Sequence, residues 1–201
     1  MNLIKPILTT ALAITLNVTA FAGYKPGDEV KDFNLKSTDN KMISLNGYKN
    51  ARGFIVVFTC NHCPFAKLYQ ERMNAMNKEY SSMGFPVIAI SSNDAIAVPE
   101  DNFEEMAARA KEQHYNFPYL YDETQEVARA FGAVKTPHAY VLFKENGKWI
   151  VKYSGSVDDN GAEPEKVKNA FVKNAVDALL RNEPVPVAST KSVGCAIKWK
   201  P

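Results

Sequence analysis

The chain has 201 residues, 46% of them hydrophobic and 23% charged, which is enough for one globular domain with a real core. Its 24 basic and 22 acidic residues leave a net charge of +2, which excludes the electrostatic footprint of a nucleic-acid binder. Three cysteines are too few for a disulfide-stapled scaffold, and the odd count leaves one thiol over.

Lys5 precedes the apolar run Ile7–Val18, and Ala20-Phe21-Ala22 has a small-x-small cleavage pattern. This predicts a secretory signal peptide over residues 1–22, cut after Ala22. An uncleaved anchor is the alternative, but the run is short and contains Thr9, Thr10, Thr15 and Asn17. The mature chain would begin at Gly23, carry no membrane span and meet an oxidising space, periplasmic or extracellular.

Asp32–Ser37 alternates polar and apolar residues, and Met42–Leu45 follows a turn at Thr38–Lys41, so the two predict an N-terminal hairpin. Asn46–Arg52 reads as a loop. Phe54–Thr59 is apolar at consecutive positions, as in a central strand buried on both faces. From Pro64 to Tyr80 the residues Phe65, Leu68, Met73 and Met76 suggest the apolar stripe of one helix. Pro86–Ser91 is a second buried strand, and Pro99-Glu100-Asp101 opens a helix over Phe103–Gln113. Phe117–Tyr121 is a short strand, and Asp122–Ala130 a capped helix stopped by Gly132. Ala139–Phe143 and Trp149–Ser154 are strands joined by the hairpin signal Asn146-Gly147. Glu165–Leu180 reads as a long amphipathic helix. Residues 23–182 thus form one domain, and 183–201, with Pro184 and Pro186, an extended tail.

The strand Phe54–Thr59 delivers Cys60-Asn61-His62-Cys63 onto Pro64 and a helix start. A C-x-x-C pair in that position is a redox arrangement. Unpaired N–H groups and the positive helix end stabilise a thiolate there, so Cys60 is expected to have a lowered pKa and to attack, with Cys63 resolving. A purely structural disulfide is the alternative, though a two-residue loop removes little chain entropy. His62 either stabilises that thiolate or is an exposed histidine of small effect. Lys135 either favours a thiolate or points at water. His138 reads as a satisfied strand histidine, and His114 as an isolated one. Cys195 is either a third redox thiol that folds back to the pair or a structural cysteine. No Gly-rich phosphate loop follows any strand, so no cofactor is expected.

Five stretches carry a family likeness: G-Y-K-P-G-D-E-V-K-D-F-N-L, F-T-C-N-H-C-P-F-A-K, Y-D-E-T-Q-E-V-A-R-A-F-G-A, the T-P at Thr136-Pro137, and G-C-A-I-K-W-K. In these the chain resembles the thioredoxin-fold superfamily, and within it the peroxiredoxin-like (AhpC/TSA-related) group of extracytoplasmic C-x-x-C proteins. The resemblance implies an α/β thioredoxin-like fold, with a central mixed sheet flanked by helices, the N-terminal hairpin as an extension and the tail at the C-terminus. It implies a cis Pro137 that turns Thr136 toward Cys60, where a partner chain pairs as a strand. It implies thiol–disulfide exchange on protein substrates, with a redox partner protein. In related Dsb-type oxidants a histidine stands where His62 does.

Peroxide chemistry is the enzymatic alternative. Peroxiredoxins carry P-x-x-x-T-x-x-C; aligned on Cys63, the proline position is Val56 and the threonine position Cys60. Both orienting groups are absent. A copper module built on Cys60, His62 and Cys63 is the non-enzymatic alternative, suited to Cu(I) by ligand softness. No metal is assigned.

Overall fold

The computed structural model describes residues 23–201, so the expected signal peptide lies outside the described residues. Its centre is β4 (Gly53–Phe58), in which every residue is buried. Alternation sends Ile55 and Val57 to one layer and Phe54, Val56 and Phe58 to the other. Both layers are apolar, which is why this strand reads as a continuous hydrophobic run.

The remaining strands are β1 (Glu29–Val30), β2 (Leu35–Ser37), β3 (Met42–Ile43), β5 (Val87–Ser91), β6 (Tyr119–Tyr121), β7 (Lys135–Thr136), β8 (His138–Glu145), β9 (Lys148–Gly155) and β10 (Cys195–Ala196). Eight of the ten described strands form one mixed sheet in the order β1-β9-β8-β4-β5-β6-β2-β3. β4 runs parallel to β5 and antiparallel to β8. The β2–β3 hairpin adds to one edge through β6, and β1 pairs with β9 at the other. Asn146 and Gly147 both have positive φ, 50° and 81°, as the tight β8–β9 turn requires. β7 and β10 form a separate two-stranded sheet.

The helices are α1 (Pro64–Lys67), α2 (Gln70–Tyr80), α3 (Phe103–Glu112), α4 (Glu126–Phe131) and α5 (Phe171–Leu180). Met73, Met76 and Tyr80 of α2, Met106 of α3 and Val172, Ala175 and Val176 of α5 pack on the Ile55–Val57 face. Ala128 and Phe131 of α4 pack on the other face with Trp149 and Leu45. Asp122 is the cap of α4 at a distance: its carboxylate accepts from Val127 N at 3.3 Å and Ala128 N at 2.9 Å. Gly132, at φ 72°, ends the helix.

Two expected helices are shorter than their sequence pattern. The Pro64–Tyr80 helix breaks at Leu68-Tyr69, where Tyr69 turns its hydroxyl to Asp158 at 3.0 Å. The expected stripe fails there too, since Phe65 and Leu68 are 46% and 44% exposed. The Glu165–Leu180 helix begins only at Phe171. Asp159 is the reason: its carboxylate takes the amides of Lys168 and Asn169, each at 3.0 Å, holding the chain out of helical register. The C-terminal stretch is no loose tail. Thr190 N donates to Ser154 O at 3.0 Å and Ile197 N to Val134 O at 3.0 Å, so it lies across the domain as a strap. Among the described residues no helix is long and apolar enough to cross a membrane.

Candidate active site

β4 ends beneath the surface, and the chain turns through Cys60–Cys63 into α1. Pro64 occupies the first turn of α1 with Cys63 as its N-cap. All three cysteines are free thiols. Cys60 Sγ lies 3.1 Å from Thr136 Oγ1, and the Cys63 thiol donates to the Thr136 carbonyl at 3.3 Å. The Thr136–Pro137 peptide bond is cis. Four of the expected site residues, Cys60, Cys63, Thr136 and Pro137, therefore meet at one point.

His62 is close but turned elsewhere. Its Nδ1 is 2.6 Å from Asp101 Oδ2, while a ring nitrogen stays within 4.8 Å of Cys60 Sγ. Asp101 is wholly buried and organises the loop. Its Oδ1 accepts from Asn61 N at 2.6 Å and His62 N at 3.3 Å, and its Oδ2 also accepts from Asn93 Nδ2 at 2.7 Å. From the sequence Asp101 reads only as a helix-start acid. Nothing local signals this role, because its partners lie 8 to 40 positions away.

Cys60, His62 and Asp101 are close enough to share a metal ion. The donor set fits one poorly. Both Asp101 oxygens are committed to N–H donors, and a soft ion would find one thiol and one imidazole. Lys135 is the neighbour of Thr136 in β7 and is not among the main influences on Cys60 or Cys63. His138 is held by Ser154 Oγ at 3.1 Å, and burial pushes its pKa down to about 4.

The thiols share their charge. Cys63 is held down to about 4, first by the Cys60 S–H, against its burial, with further help from the Cys195 S–H and the backbone N–H groups of Ala66 and Cys195. Cys60 is pushed up by the same Cys63 contact, by burial and by the Asp101 charge, while the Thr136 hydroxyl and the Cys63 N–H work in its favour. The two sulfurs titrate as one coupled pair, Cys63 drawn down and Cys60 pushed up, where the sequence led to a lowered Cys60. The contact between the two sulfurs is the first cause of both shifts, with burial next and Asp101 on Cys60 and Cys195 on Cys63 after it.

The AhpC/TSA family model matches residues 26–159. This chain belongs to the AhpC/TSA family. A curated relative, the thiol-disulfide oxidoreductase ResA of Halalkalibacterium halodurans, is 23% identical over 160 residues, covering 78% of this chain and 86% of its own. A solved structure of a conserved protein from Geobacillus kaustophilus is 38% identical, covers 90% of this chain and 95% of that one, and superposes with a TM-score of 0.81. The peroxidoxin BcpB of Mycobacterium tuberculosis, at 20% identity, covers 79% of this chain and 97% of its own with a TM-score of 0.58, and shows the fold alone. The fold is thioredoxin-like. Pairing of Thr136 with an extended segment, expected for a partner, is filled here by the chain's own β10.

Proposed function

We propose that this thioredoxin-like oxidoreductase works through Cys60 and Cys63 as a dithiol/disulfide pair, outside the cytoplasm, on protein thiols and disulfides. The observation that supports it is the convergence of both sulfurs on Thr136, at 3.1 and 3.3 Å, on a strand edge that the extended segment β10 occupies.

The chemistry follows from the shared charge. The Cys63 thiolate accepts the Cys60 proton as Cys60 attacks a substrate disulfide. One substrate thiolate leaves, and a Cys60 mixed disulfide forms. Cys63 then gives up that proton and attacks Cys60 Sγ, releasing the second substrate thiol and closing the Cys60–Cys63 bond. Two electrons and one proton pass to the substrate, whose first thiolate takes its proton from solvent, and the reverse sequence oxidises a dithiol. The mature chain would start at Gly23 once residues 1–22 are removed.

A peroxidase needs a cation beside its cysteine to stabilise the departing oxygen. Among the described residues, Arg72 is engaged by Asp158, Asn160 and Gly161, and Arg109 by Gln70 and Glu112. Neither bonds a sulfur, which favours dithiol exchange over peroxide reduction.

The test is reduction of insulin by the chain starting at Gly23 in dithiothreitol. Cys60→Ser and Cys63→Ser should each lower the rate by about 100-fold or more. Undiminished turnover by Cys60→Ser, or a stopped-flow reaction with hydrogen peroxide faster than that with insulin, would sink the reading.

A further inference from the structure

We propose that the C-terminal strap is an internal substrate strand: it occupies the Thr136 edge that an incoming peptide would take, and presents Cys195 to Cys63 as an alternative disulfide partner. This rests on the dithiol reading above and adds a third thiol to it.

The placement is specific. β10 pairs antiparallel with β7, Cys195 opposite Thr136 and Ala196 opposite Lys135. Cys195 packs against the cluster formed by Cys60, Cys63 and Ala66, and Cys63 helps to push its pKa up. Gly194 makes the approach feasible: a Cβ there would stand 1.9 Å from the Thr136 carbonyl oxygen and 3.1 Å from Pro137 N. Only a bare backbone lies this close to the Thr136 carbonyl. With the strap in place Cys60 is 2% exposed and Cys63 fully buried, so a protein substrate has no path to either sulfur.

The strap is anchored on both sides of β10 as well as by the β10–β7 pairing itself. Downstream, Ile197 is buried in the α4 layer, Lys198 N donates to Asn93 Oδ1 at 2.7 Å, and Lys198 O accepts from Asp94 N at 2.8 Å and Gln125 Nε2 at 2.8 Å. The Arg129 guanidinium covers the Trp199 ring at 4.5 Å. Upstream, Ser154 N donates to Ala188 O at 3.1 Å and Ser156 N to Thr190 Oγ1 at 2.9 Å. Between these anchors Val193 is exposed. Opening the site requires release of the two-residue β10–β7 pairing while both ends stay fixed.

The exchange balances without an outside reactant. The Cys195 thiolate attacks Cys63 Sγ of a Cys60–Cys63 disulfide. That bond breaks, a Cys63–Cys195 bond forms, and Cys60 leaves as a thiolate that takes up the proton Cys195 lost. The oxidation level is unchanged. Cys60 becomes a free thiol, and the strap is locked shut. Cys63 is the shared sulfur because Cys60 and Cys195 are each influenced by it.

The experiment uses the chain from Gly23 at low micromolar concentration, as wild type and as Cys60→Ser, equilibrated with oxidised glutathione, alkylated, digested and mapped by mass spectrometry. In Cys60→Ser, a Cys63–Cys195 link in the monomer should exceed the Cys63–glutathione adduct by about tenfold, because Cys195 acts intramolecularly. A second arm uses Gly194→Val, which must push the strap off Thr136. It should raise the alkylation rate of Cys60 by a bulky maleimide about tenfold over wild type. Accumulation of the glutathione adduct with Cys195 free would overturn the relay, and an unchanged alkylation rate in Gly194→Val would overturn the cover. Either leaves the dithiol reading standing if wild type still forms Cys60–Cys63. A wild type that forms no such bond and reduces no insulin defeats both.

Discussion

Asn93 and Asp101 meet at 2.7 Å, Nδ2 to Oδ2, beneath the C-x-x-C loop, and the other end of the same Asn93 side chain holds Lys198 of the strap. One buried amide thus joins the two segments that cover the cysteines. Asp101 in turn accepts from Asn61 N, His62 N and His62 Nδ1. Asp101→Asn keeps the size but puts an NH2 against donors. It should cost about 2–3 kcal/mol in urea unfolding. It also removes one of the influences that raise Cys60, after the Cys63 contact and burial. Cys60 in a Cys63→Ser, Cys195→Ser background should then alkylate faster at neutral pH. A slower reaction would show that Asp101 does not act on Cys60 by its charge.

The reduced pair should carry one proton through neutral pH. Cys63 sits at about 4 and Cys60 is raised above its ordinary value near 9. Reduction across that window takes up two electrons and one proton, so the potential should fall by about 30 mV per pH unit, where two protons would give about 60. The sign for stability follows. Cys63 has a folded pKa below its unfolded one, so the reduced protein gains stability as pH rises from about 4 to about 9 and loses it as pH falls through 4. The disulfide form lacks this dependence. Glutathione titrations at several pH values check the slope, and Cys195→Ser, which loses one donor to Cys63, should move its lower break upward.

Much of this arrangement is legible in the sequence where one short stretch dictates it. The run Phe54–Phe58 has to be central because both of its faces are apolar, and Asn146-Gly147 has to turn because both residues take positive φ. What is hidden depends on distant partners. The helix expected from Glu165 is undone by the Asp159 carboxylate, which claims two amides the helix pattern assumes are free. The break at Tyr69 answers to Asp158, far along the chain. The convergence of Cys60 and Cys63 on Thr136 follows the family likeness. Asp101 and the pairing of Cys195 with Thr136 do not, since the strap is a two-residue strand with separate side-chain anchors and no periodicity to read.

His138 adds an acid-side dependence of its own. Burial holds its pKa at about 4, below the ordinary 6.5. Between those values the unfolded chain binds a proton that the folded one refuses, so stability falls as pH drops from about 6.5 to 4, by up to about 3 kcal/mol. The oxidised protein isolates this effect from Cys63. Urea midpoints of the Cys60–Cys63 disulfide form should fall over that range, and His138→Gln, which can still reach Ser154, should flatten the curve. An equally steep curve in the variant would assign the loss to another group.

Phe65 and Leu68 explain why the first turns after the cysteines contradict their expected burial. Both follow Cys63 within five residues and both are exposed, as is Val193 of the strap. Two large apolar side chains left in water next to a redox pair suit a protein substrate, whose chain would cover them once the strap lifts. A small disulfide gains nothing from them. Phe65→Ser with Leu68→Ser should therefore lower kcat/KM for insulin about five- to tenfold, roughly 1–1.4 kcal/mol of transition-state binding, and leave reduction of hydroxyethyl disulfide unchanged. Because both side chains are half in solvent, the double variant should unfold within about 1 kcal/mol of wild type. Equal losses on the large and the small substrate would mean that these residues shape the cysteine loop and do not contact the partner.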